Sequence, residues 1–118
     1  NLSTESGILD ETQYSYKTRF ENGNGTNPEE LIGAAHSGCF TMQLSAFLAE
    51  QDFPAEKLET KSEVTFEDGA ISKSHLILTA KVPNISEEKF KEIATKAKES
   101  CPVSKLLDTE ITLDYTLN

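Results

Sequence analysis

Hydrophobic and polar residues alternate in four stretches of the chain, which predicts β-strands because successive side chains of a strand point to opposite faces. The first stretch runs from Gln13 to Phe20 and the last from Glu110 to Leu117. Two more, from Leu58 to Phe66 and from Ile71 to Val82, flank a Glu-Asp-Gly turn, which is the pattern of a β-hairpin.

Three stretches between these strands have the pattern of helices. Asn27, followed by proline and two glutamates, predicts a helix start with a side-chain cap, and this helix should extend to about Glu50. Ser86 is the predicted cap of a second helix, whose apolar residues recur at helical spacing and end at Cys101. A short third helix should run from Pro102 to Leu107.

The first helix contains no formally charged residue from Leu31 to Ala49, so we expect it to be buried on nearly all sides. Its glycines and polar residues make it too polar to span a membrane. The order of elements predicts an α+β fold in one domain, residues 1–118, with an antiparallel or mixed sheet packed on this long buried helix. Because so small a domain has too little chain to cover such a helix alone, we also expect a homodimer.

Charge argues against two classes of partner. The chain has 20 acidic and 11 basic residues, a formal net charge of −9, which disfavours binding to nucleic acids and to anionic membranes. No secretory signal pattern precedes the first strand, so we expect a cytoplasmic protein. The chain begins at Asn1, without methionine, in a strand-like stretch, and we expect that it lacks an N-terminal strand.

Two cysteines, Cys39 in the first helix and Cys101 at a helix junction, are the candidate redox residues. Cytosolic thiols are kept reduced, so a permanent disulfide is not expected, and buried cysteines are often plain packing residues. The two can form a disulfide only if their Cα atoms come within about 7 Å. A cysteine that attacks a peroxide must also be ionised, which burial opposes.

Arg19, the single arginine of the chain, is the candidate for a compensating positive charge, although a lone arginine on a strand is usually a surface residue. Glu29 precedes Cys39 by ten residues, which on one straight helix means ~15 Å of rise and about 80° of rotation. If both act in one site, either the helix is broken near Gly33 or Arg19 and Glu29 come from a partner subunit.

Other chemistries have weaker support. His36, Cys39, His75 and Cys101 could form a metal set, but neither CxxC nor HxxxH spacing is present. His36, three residues before Cys39, could act as its general base, but a histidine there is more often a hydrogen-bonded core residue. The serines lack a Gly-x-Ser-x-Gly elbow, so hydrolase chemistry is not indicated.

Two segments, Thr26–Phe40 (TNPEELIGAAHSGCF) and Ser100–Leu107 (SCPVSKLL), closely resemble the OsmC/Ohr family of osmotically inducible and organic-hydroperoxide-resistance proteins. The resemblance continues through Ser3–Gly7, Thr18–Phe20 and Glu110–Tyr115, so it covers essentially the whole chain and is nearer the OsmC branch. It implies an OsmC-like fold in an intertwined homodimer, with two long helices packed back to back and two active sites at the subunit interface.

The matching motifs imply roles for four residues. By this resemblance Cys39 is the peroxidatic cysteine, and Cys101 is the resolving cysteine that condenses with its sulfenic acid. Arg19 would hold the thiolate and polarise the peroxide, and Glu29 would orient that arginine. The resemblance also implies an organic hydroperoxide substrate, no bound metal or other cofactor, and an external dithiol reductant of the lipoyl or thioredoxin type.

An apolar pocket would suit organic peroxides, and Phe40, Met42 and Phe47 are its candidate lining residues. Two other functions stay open from the residues alone. One is a binding or stress-structural protein with the same fold, which would not need all four of those residues. The other is a general dithiol oxidoreductase, which would be expected to carry a CxxC pair.

Overall fold

Residues 1–14 and 25–118 are described by the computed structural model. The chain is built, in order, from α1 (Pro28–Glu50), β1 (Lys57–Glu67), β2 (Ala70–Lys81), α2 (Glu87–Ser100), α3 (Pro102–Leu106) and β3 (Glu110–Leu117). Each helix and strand predicted after residue 25 is present within one residue of its predicted ends. The predicted strand from Gln13 to Phe20 lies largely outside the described residues, and so does Arg19.

The N-terminal segment does not form the strand-like stretch expected from its sequence. Residues 5–11 make turns and bends, and an isolated antiparallel bridge between Leu2 and Thr12 closes them. Gly7 adopts a φ of 83° within this loop, and the Thr4 hydroxyl accepts a hydrogen bond from a backbone N–H. Local side-chain bonds of this kind compete with strand pairing.

The sheet has three strands in the order β1-β2-β3 and is mixed, as the predicted fold class allows. β1 and β2 pair antiparallel as the predicted hairpin, whose turn residues Asp68 and Gly69 both have positive φ. β3 joins the sheet parallel to β2 after the chain has crossed over through α2 and α3, as parallel pairing requires. Alternate residues of β2 from Ser74 to Ala80 are buried, so one face of the sheet carries the core.

α1 is one unbroken helix, capped as predicted by the Asn27 side chain, which accepts a 2.8 Å hydrogen bond from the Glu30 N–H. Phe40, Leu44 and Leu48 are fully buried along one face. The opposite face, here called the small-residue face, is exposed and consists of Ala34, Ala35, Gly38, Met42, Ser45, Ala46 and Ala49. The single chain therefore leaves this face of α1 uncovered, and burial of the helix on nearly all sides stays a prediction about the homodimer.

Close packing of α1 on β1 depends on Gly33. A Cβ atom at this position would lie 3.2 Å from the Ser62 carbonyl oxygen and 3.3 Å from Cγ2 of Val64. Glycine lets the helix backbone approach the strand to a distance that a side chain would oppose. The contact fixes the buried face of α1 on the sheet and directs the small-residue face outward.

α2 covers the remaining part of the sheet. The Ser86 side chain caps its N-terminus by accepting a 3.1 Å hydrogen bond from the Lys89 N–H, as predicted. Its apolar stripe is buried and comprises Phe90, Ile93, Ala94 and Ala97. Phe90 packs edge-on against Tyr115 of β3, with ring centroids 5.2 Å apart. Since this stripe continues to Cys101, burial of α2 directs that cysteine into the core.

Candidate active site

The structure brings the two cysteines together although 62 residues separate them in the chain. Cys39 lies in the middle of α1, and Cys101 lies between α2 and α3. Cys101 is fully buried, Cys39 is half-buried, and both thiols are free. The Cys101 side chain lies beside Cys39, near enough to raise the pKa of its thiol. The juxtaposition that a redox couple needs is therefore present.

The conformational restriction imposed by Pro102 explains the position of Cys101. A residue before proline is driven out of the helical region, and Cys101 has an extended conformation with φ of −57° and ψ of 127°. α2 therefore ends there, while Pro102 supplies the first residue of α3, where a missing N–H costs nothing. The resulting corner places the Cys101 thiol against α1 and brings the Val103 N–H to the sulfur of Cys39.

The surroundings of Cys39 oppose its ionisation. Burial raises the pKa of its thiol, and the adjacent Cys101 side chain raises it further, while the hydrogen bond from the Val103 N–H lowers it. Among the described residues that shift this pKa, none carries a positive charge. An additional cation is therefore required if Cys39 is to react as a thiolate near neutral pH.

The described part of the chain does not place either residue predicted to assist Cys39, Arg19 or Glu29, beside it. Arg19 lies outside the described residues. Glu29 is buried in the first turn of α1, on the face that also carries Gly33 and His36. Because α1 is continuous from Pro28 to Glu50, a helix break near Gly33 does not occur, and that route to a site shared by Glu29 and Cys39 is excluded.

An open groove of about 600 Å³ runs along α1 beside Cys39. Its lining is largely apolar and comprises Ala34, Ala35, Gly38, Cys39, Met42, Gln43, Ala46 and Pro102. Of the three predicted lining residues, Met42 is present there. Phe40 is not, because it points into the core from the opposite face of α1. Phe47 is not either; it packs towards α2, where the Lys96 ammonium lies 4.7 Å from its ring centroid.

His36 is a fully buried, fully hydrogen-bonded core histidine. Its Nδ1 lies 2.6 Å from the Ser74 hydroxyl, and its Nε2 lies 2.8 Å from the Ser104 hydroxyl. Burial lowers the pKa of the imidazole, so it is held neutral. Since both ring nitrogens are occupied, His36 has no free position from which to act as a base for Cys39.

Both ring nitrogens of His75 are hydrogen-bonded as well. Nδ1 of His75 lies 2.5 Å from the Thr112 hydroxyl and Nε2 lies 3.1 Å from the Asp114 carboxylate, both on β3. Within residues 1–14 and 25–118, no group of three or more histidine, cysteine, aspartate or glutamate side chains is arranged to hold a metal ion. In the same part of the chain, no helix has the length and apolar character needed to cross a membrane.

Sequence reasoning did not single out Ser74, Ser104 or the Val103 N–H. A signal was available for Ser74, because it occupies an inward position of β2 that the strand pattern reserves for an apolar residue. Ser104 is the buried residue of α3, yet five residues are too few for a periodic pattern to identify its face. The position of a backbone N–H in the fold cannot be read from the sequence.

Comparison with known proteins agrees with the fold and with the family that the sequence resembles. The family model described as OsmC-like protein matches residues 21–116. The chain is 48% identical over 120 residues to the peroxiredoxin OsmC of Escherichia coli strain K12, covering 98% of this chain and 84% of that protein. It is 28% identical to the organic hydroperoxide resistance protein OhrB of Bacillus subtilis strain 168, covering 89% and 79% of the two chains.

Solved structures show the same fold. An OsmC-like protein from Mycoplasma pneumoniae superposes with a TM-score of 0.74 at 17% identity, covering 98% of this chain and 92% of that one. The crystal structure of OhrB from Bacillus subtilis gives a TM-score of 0.70 at 24% identity, covering 98% and 87%. With the sequence match over nearly the whole chain, these likenesses show that the chain belongs to the OsmC family, on its OsmC branch.

Proposed function

We propose that this chain is a thiol-dependent peroxidase that reduces organic hydroperoxides to alcohols, with Cys39 as the attacking residue and Cys101 as the resolving residue. The observation that carries the proposal is the contact between two free thiols beside a largely apolar groove. The relatives named peroxiredoxin OsmC and organic hydroperoxide resistance protein support the same activity. A protein that only bound a ligand would have no need to hold two thiols in contact.

The groove and the thiols account for each chemical step. The Cys39 thiolate attacks one oxygen of the O–O bond, which stays on sulfur as a sulfenic acid, while the other oxygen leaves as the alcohol after taking a proton. The Cys101 sulfur then attacks Cys39, the S–S bond forms and water leaves. An external dithiol of the lipoyl or thioredoxin type reduces the disulfide and becomes oxidised in turn. The apolar groove favours a substrate with an organic group.

The proposed site is completed by a second subunit. The small-residue face of α1 is exposed in the single chain and carries the groove, and its short side chains would let a second copy of the helix approach closely. Glu29 cannot reach Cys39 along the same unbroken helix. An intertwined homodimer with two active sites at its interface accounts for both features, with Arg19 and Glu29 supplied to Cys39 by the partner.

Titration of the reduced protein with cumene hydroperoxide, followed by mass spectrometry of both cysteines, tests this function. One equivalent of peroxide should yield one equivalent of alcohol and a Cys39–Cys101 disulfide, which lowers the mass by about 2 Da. Protein alkylated at its thiols before the titration serves as the control and should consume no peroxide. Cysteines that stay unmodified in excess peroxide would remove the proposal.

Replacement of Arg19 should shift the pH dependence of peroxide reduction. Burial and the neighbouring Cys101 raise the pKa of Cys39. Without the guanidinium, the thiolate fraction should fall at neutral pH and recover only as pH rises. We expect Arg19→Ala to lower the second-order rate constant at pH 7 by roughly 100-fold, because a nearby cation favours the thiolate form of a cysteine. The pH–rate profile, measured by stopped flow, should move to higher pH.

Arg19→Lys is the matched variant, because lysine keeps the charge but not the forked geometry that holds two partners together. Its rate constant should lie between those of the wild type and Arg19→Ala. An unchanged pH–rate profile in Arg19→Ala would show that another group ionises Cys39.

A further inference from the structure

A chain of hydrogen-bonded polar side chains, three of them buried, crosses the core next to the cysteines. The Ser62 and Ser74 hydroxyls lie 2.7 Å apart, Ser74 lies 2.6 Å from Nδ1 of His36, and Nε2 of His36 lies 2.8 Å from the Ser104 hydroxyl. His36 and Ser74 are fully buried, and Ser104 is 9% exposed. The chain connects both strands of the hairpin to α1 and then to α3, and the peroxide chemistry described above uses none of its members.

The bond between His36 and Ser104 is a side-chain hydrogen bond that joins α3 to α1. α3 has five residues and no side-chain cap at its N-terminus. Pro102, Lys105 and Leu106 are exposed, and Val103 is the apolar residue of α3 that packs against the core. Inside the core, where water does not compete, a hydrogen bond between fully buried groups constrains geometry more than one at the surface. The His36 ring therefore fixes where α3 sits.

The attachment of α3 matters because the residues on and next to this helix act on Cys39. Cys101 is the residue immediately before α3, and the N–H of Val103, in the first turn of α3, lowers the pKa of the Cys39 thiol. Cys39 follows His36 by three residues on α1, so one helix turn separates the anchor from the sulfur that α3 must reach. Any rotation or displacement of α3 about its ends would move both the Cys101 thiol and the Val103 N–H away from Cys39.

We propose that His36 and Ser104 are positioning residues for the disulfide step: their hydrogen bond holds α3 so that the Cys101 sulfur stays in reach of Cys39. The catalytic meaning of this inference rests on the proposed peroxidase function, while the geometric claim concerns the two thiols alone. In the step itself, the Cys101 sulfur bonds to the Cys39 sulfur and the sulfenic oxygen leaves as water. Because the S–S bond is only about 2.05 Å long, the two sulfurs must be held close together for it to form.

The His36–Ser104 hydrogen bond should also affect which of two reactions the sulfenic acid undergoes. Condensation with Cys101 gives a reducible disulfide, whereas reaction with a second peroxide gives a sulfinic acid that thiols do not reduce. A freed α3 spends less time with Cys101 in position, and condensation slows. Attack of Cys39 on the first peroxide does not involve the Cys101 sulfur, so its rate should change little.

Ser104→Ala, compared with Ser74→Ala, tests the proposal. Each variant leaves one nitrogen of the same buried ring without its partner, but only Ser104→Ala detaches α3. The first readout is the equilibrium between the free thiols and the Cys39–Cys101 disulfide in glutathione buffers, which needs no peroxide. Because a misplacement of about 1 Å can lower an intramolecular rate or effective molarity by one to two orders of magnitude, we expect roughly a ten-fold loss in Ser104→Ala. Ser74→Ala should stay within about two-fold of the wild type.

The second readout is sulfinic acid formed on Cys39 as peroxide is raised, measured by mass spectrometry. Ser104→Ala should form it at roughly ten-fold lower peroxide than the wild type, with the first attack on peroxide unchanged. Should Ser104→Ala fail to fold, Ser104→Thr and Ser104→Val repeat the comparison, since their side chains have similar shape and differ in the hydroxyl. The valine variant should then show the loss and the threonine variant should not.

Three results would overturn the inference: no disulfide in the wild type at any glutathione ratio, an unchanged equilibrium in Ser104→Ala, or equal losses in Ser104→Ala and Ser74→Ala. The third would mean that the serines act only by general stabilisation of the core. If instead the glutathione measurements follow the expectation but the wild type consumes no peroxide, the peroxidase function fails while the positioning of Cys101 stands.

Discussion

Replacing Cys39 by serine is expected to abolish the reduction of cumene hydroperoxide and tert-butyl hydroperoxide. The reacting species is a thiolate, and a serine hydroxyl is not appreciably ionised near neutral pH. We expect the rate constant for peroxide consumption, measured by stopped flow, to fall to that of the peroxide in buffer. Cys39 is half-buried rather than fully enclosed, so the substitution should leave the fold intact by circular dichroism.

Cys101→Ser is the matched variant and should behave differently. Cys39 can still attack one peroxide, but its sulfenic acid then has no neighbouring thiol with which to condense. One equivalent of alcohol should form, and dimedone should trap the sulfenic acid in the mass spectrum. Because Cys101 is fully buried, an unpaired hydroxyl there would cost about 1–3 kcal/mol, so unfolding is measured alongside.

Two outcomes would contradict this assignment. Equal activity of the wild type and Cys39→Ser would remove Cys39 as the attacking residue. Repeated turnover by Cys101→Ser with a dithiol reductant would show that the reductant resolves the sulfenic acid directly. In that case the contact between the two thiols would serve another purpose, such as protection of Cys39 between encounters with peroxide.

The secondary structure was predictable because its signals are local. Asn27 and Ser86 cap helices with their own side chains, and a Glu-Asp-Gly turn joins the hairpin strands. Each signal acts over four residues or fewer and does not depend on the rest of the fold. The parallel pairing of β3 with β2 had no such signal, since it depends on how α2 and α3 pack.

The orientation of α1 was not predictable from polarity. Because the middle of the helix carries no charge, hydrophobic periodicity could not distinguish its two faces, and Phe40 was named as a candidate lining residue only because it is apolar. The structure separates the faces by size instead: Phe40, Leu44 and Leu48 face the core, and small residues with Met42 face outward. Phe40, Leu44 and Leu48 are large and recur every four residues. This pattern would have placed Phe40 in the core, because the core needs large residues to fill it.

The sequence named candidate residues for the site but could not give their geometry. Motif resemblance singled out Cys39 and Cys101, yet only tertiary packing decides whether two sulfurs 62 residues apart meet. The spacing of Glu29 and Cys39 left two alternatives, a break in the helix or a contribution from the partner subunit. Because α1 is unbroken, the partner subunit is the alternative that remains. The roles of Arg19 and Glu29 are therefore predictions about an assembly, and a test has to use two chains.

Mixing two inactive variants is expected to restore activity if the site is shared between subunits. Cys39→Ser lacks the nucleophile and Arg19→Ala lacks the activating charge, so each homodimer should be inactive or nearly so. In a mixed dimer, the Arg19→Ala chain supplies Cys39 and the Cys39→Ser chain supplies Arg19, which completes one of the two sites. Equal amounts that pair at random give mixed dimers in half of the population, so about a quarter of wild-type activity should return.

Wild-type protein mixed with the double variant, which carries both substitutions in one chain, is the mirror control. If the site is shared, mixed dimers contain no complete site and about a quarter of the activity remains; if each site uses one chain, about half remains. Sedimentation at micromolar concentration should first give twice the chain mass of 13.0 kDa. A single-chain mass would remove the dimer, whereas a dimer without restored activity would place Arg19 beside the Cys39 of its own chain.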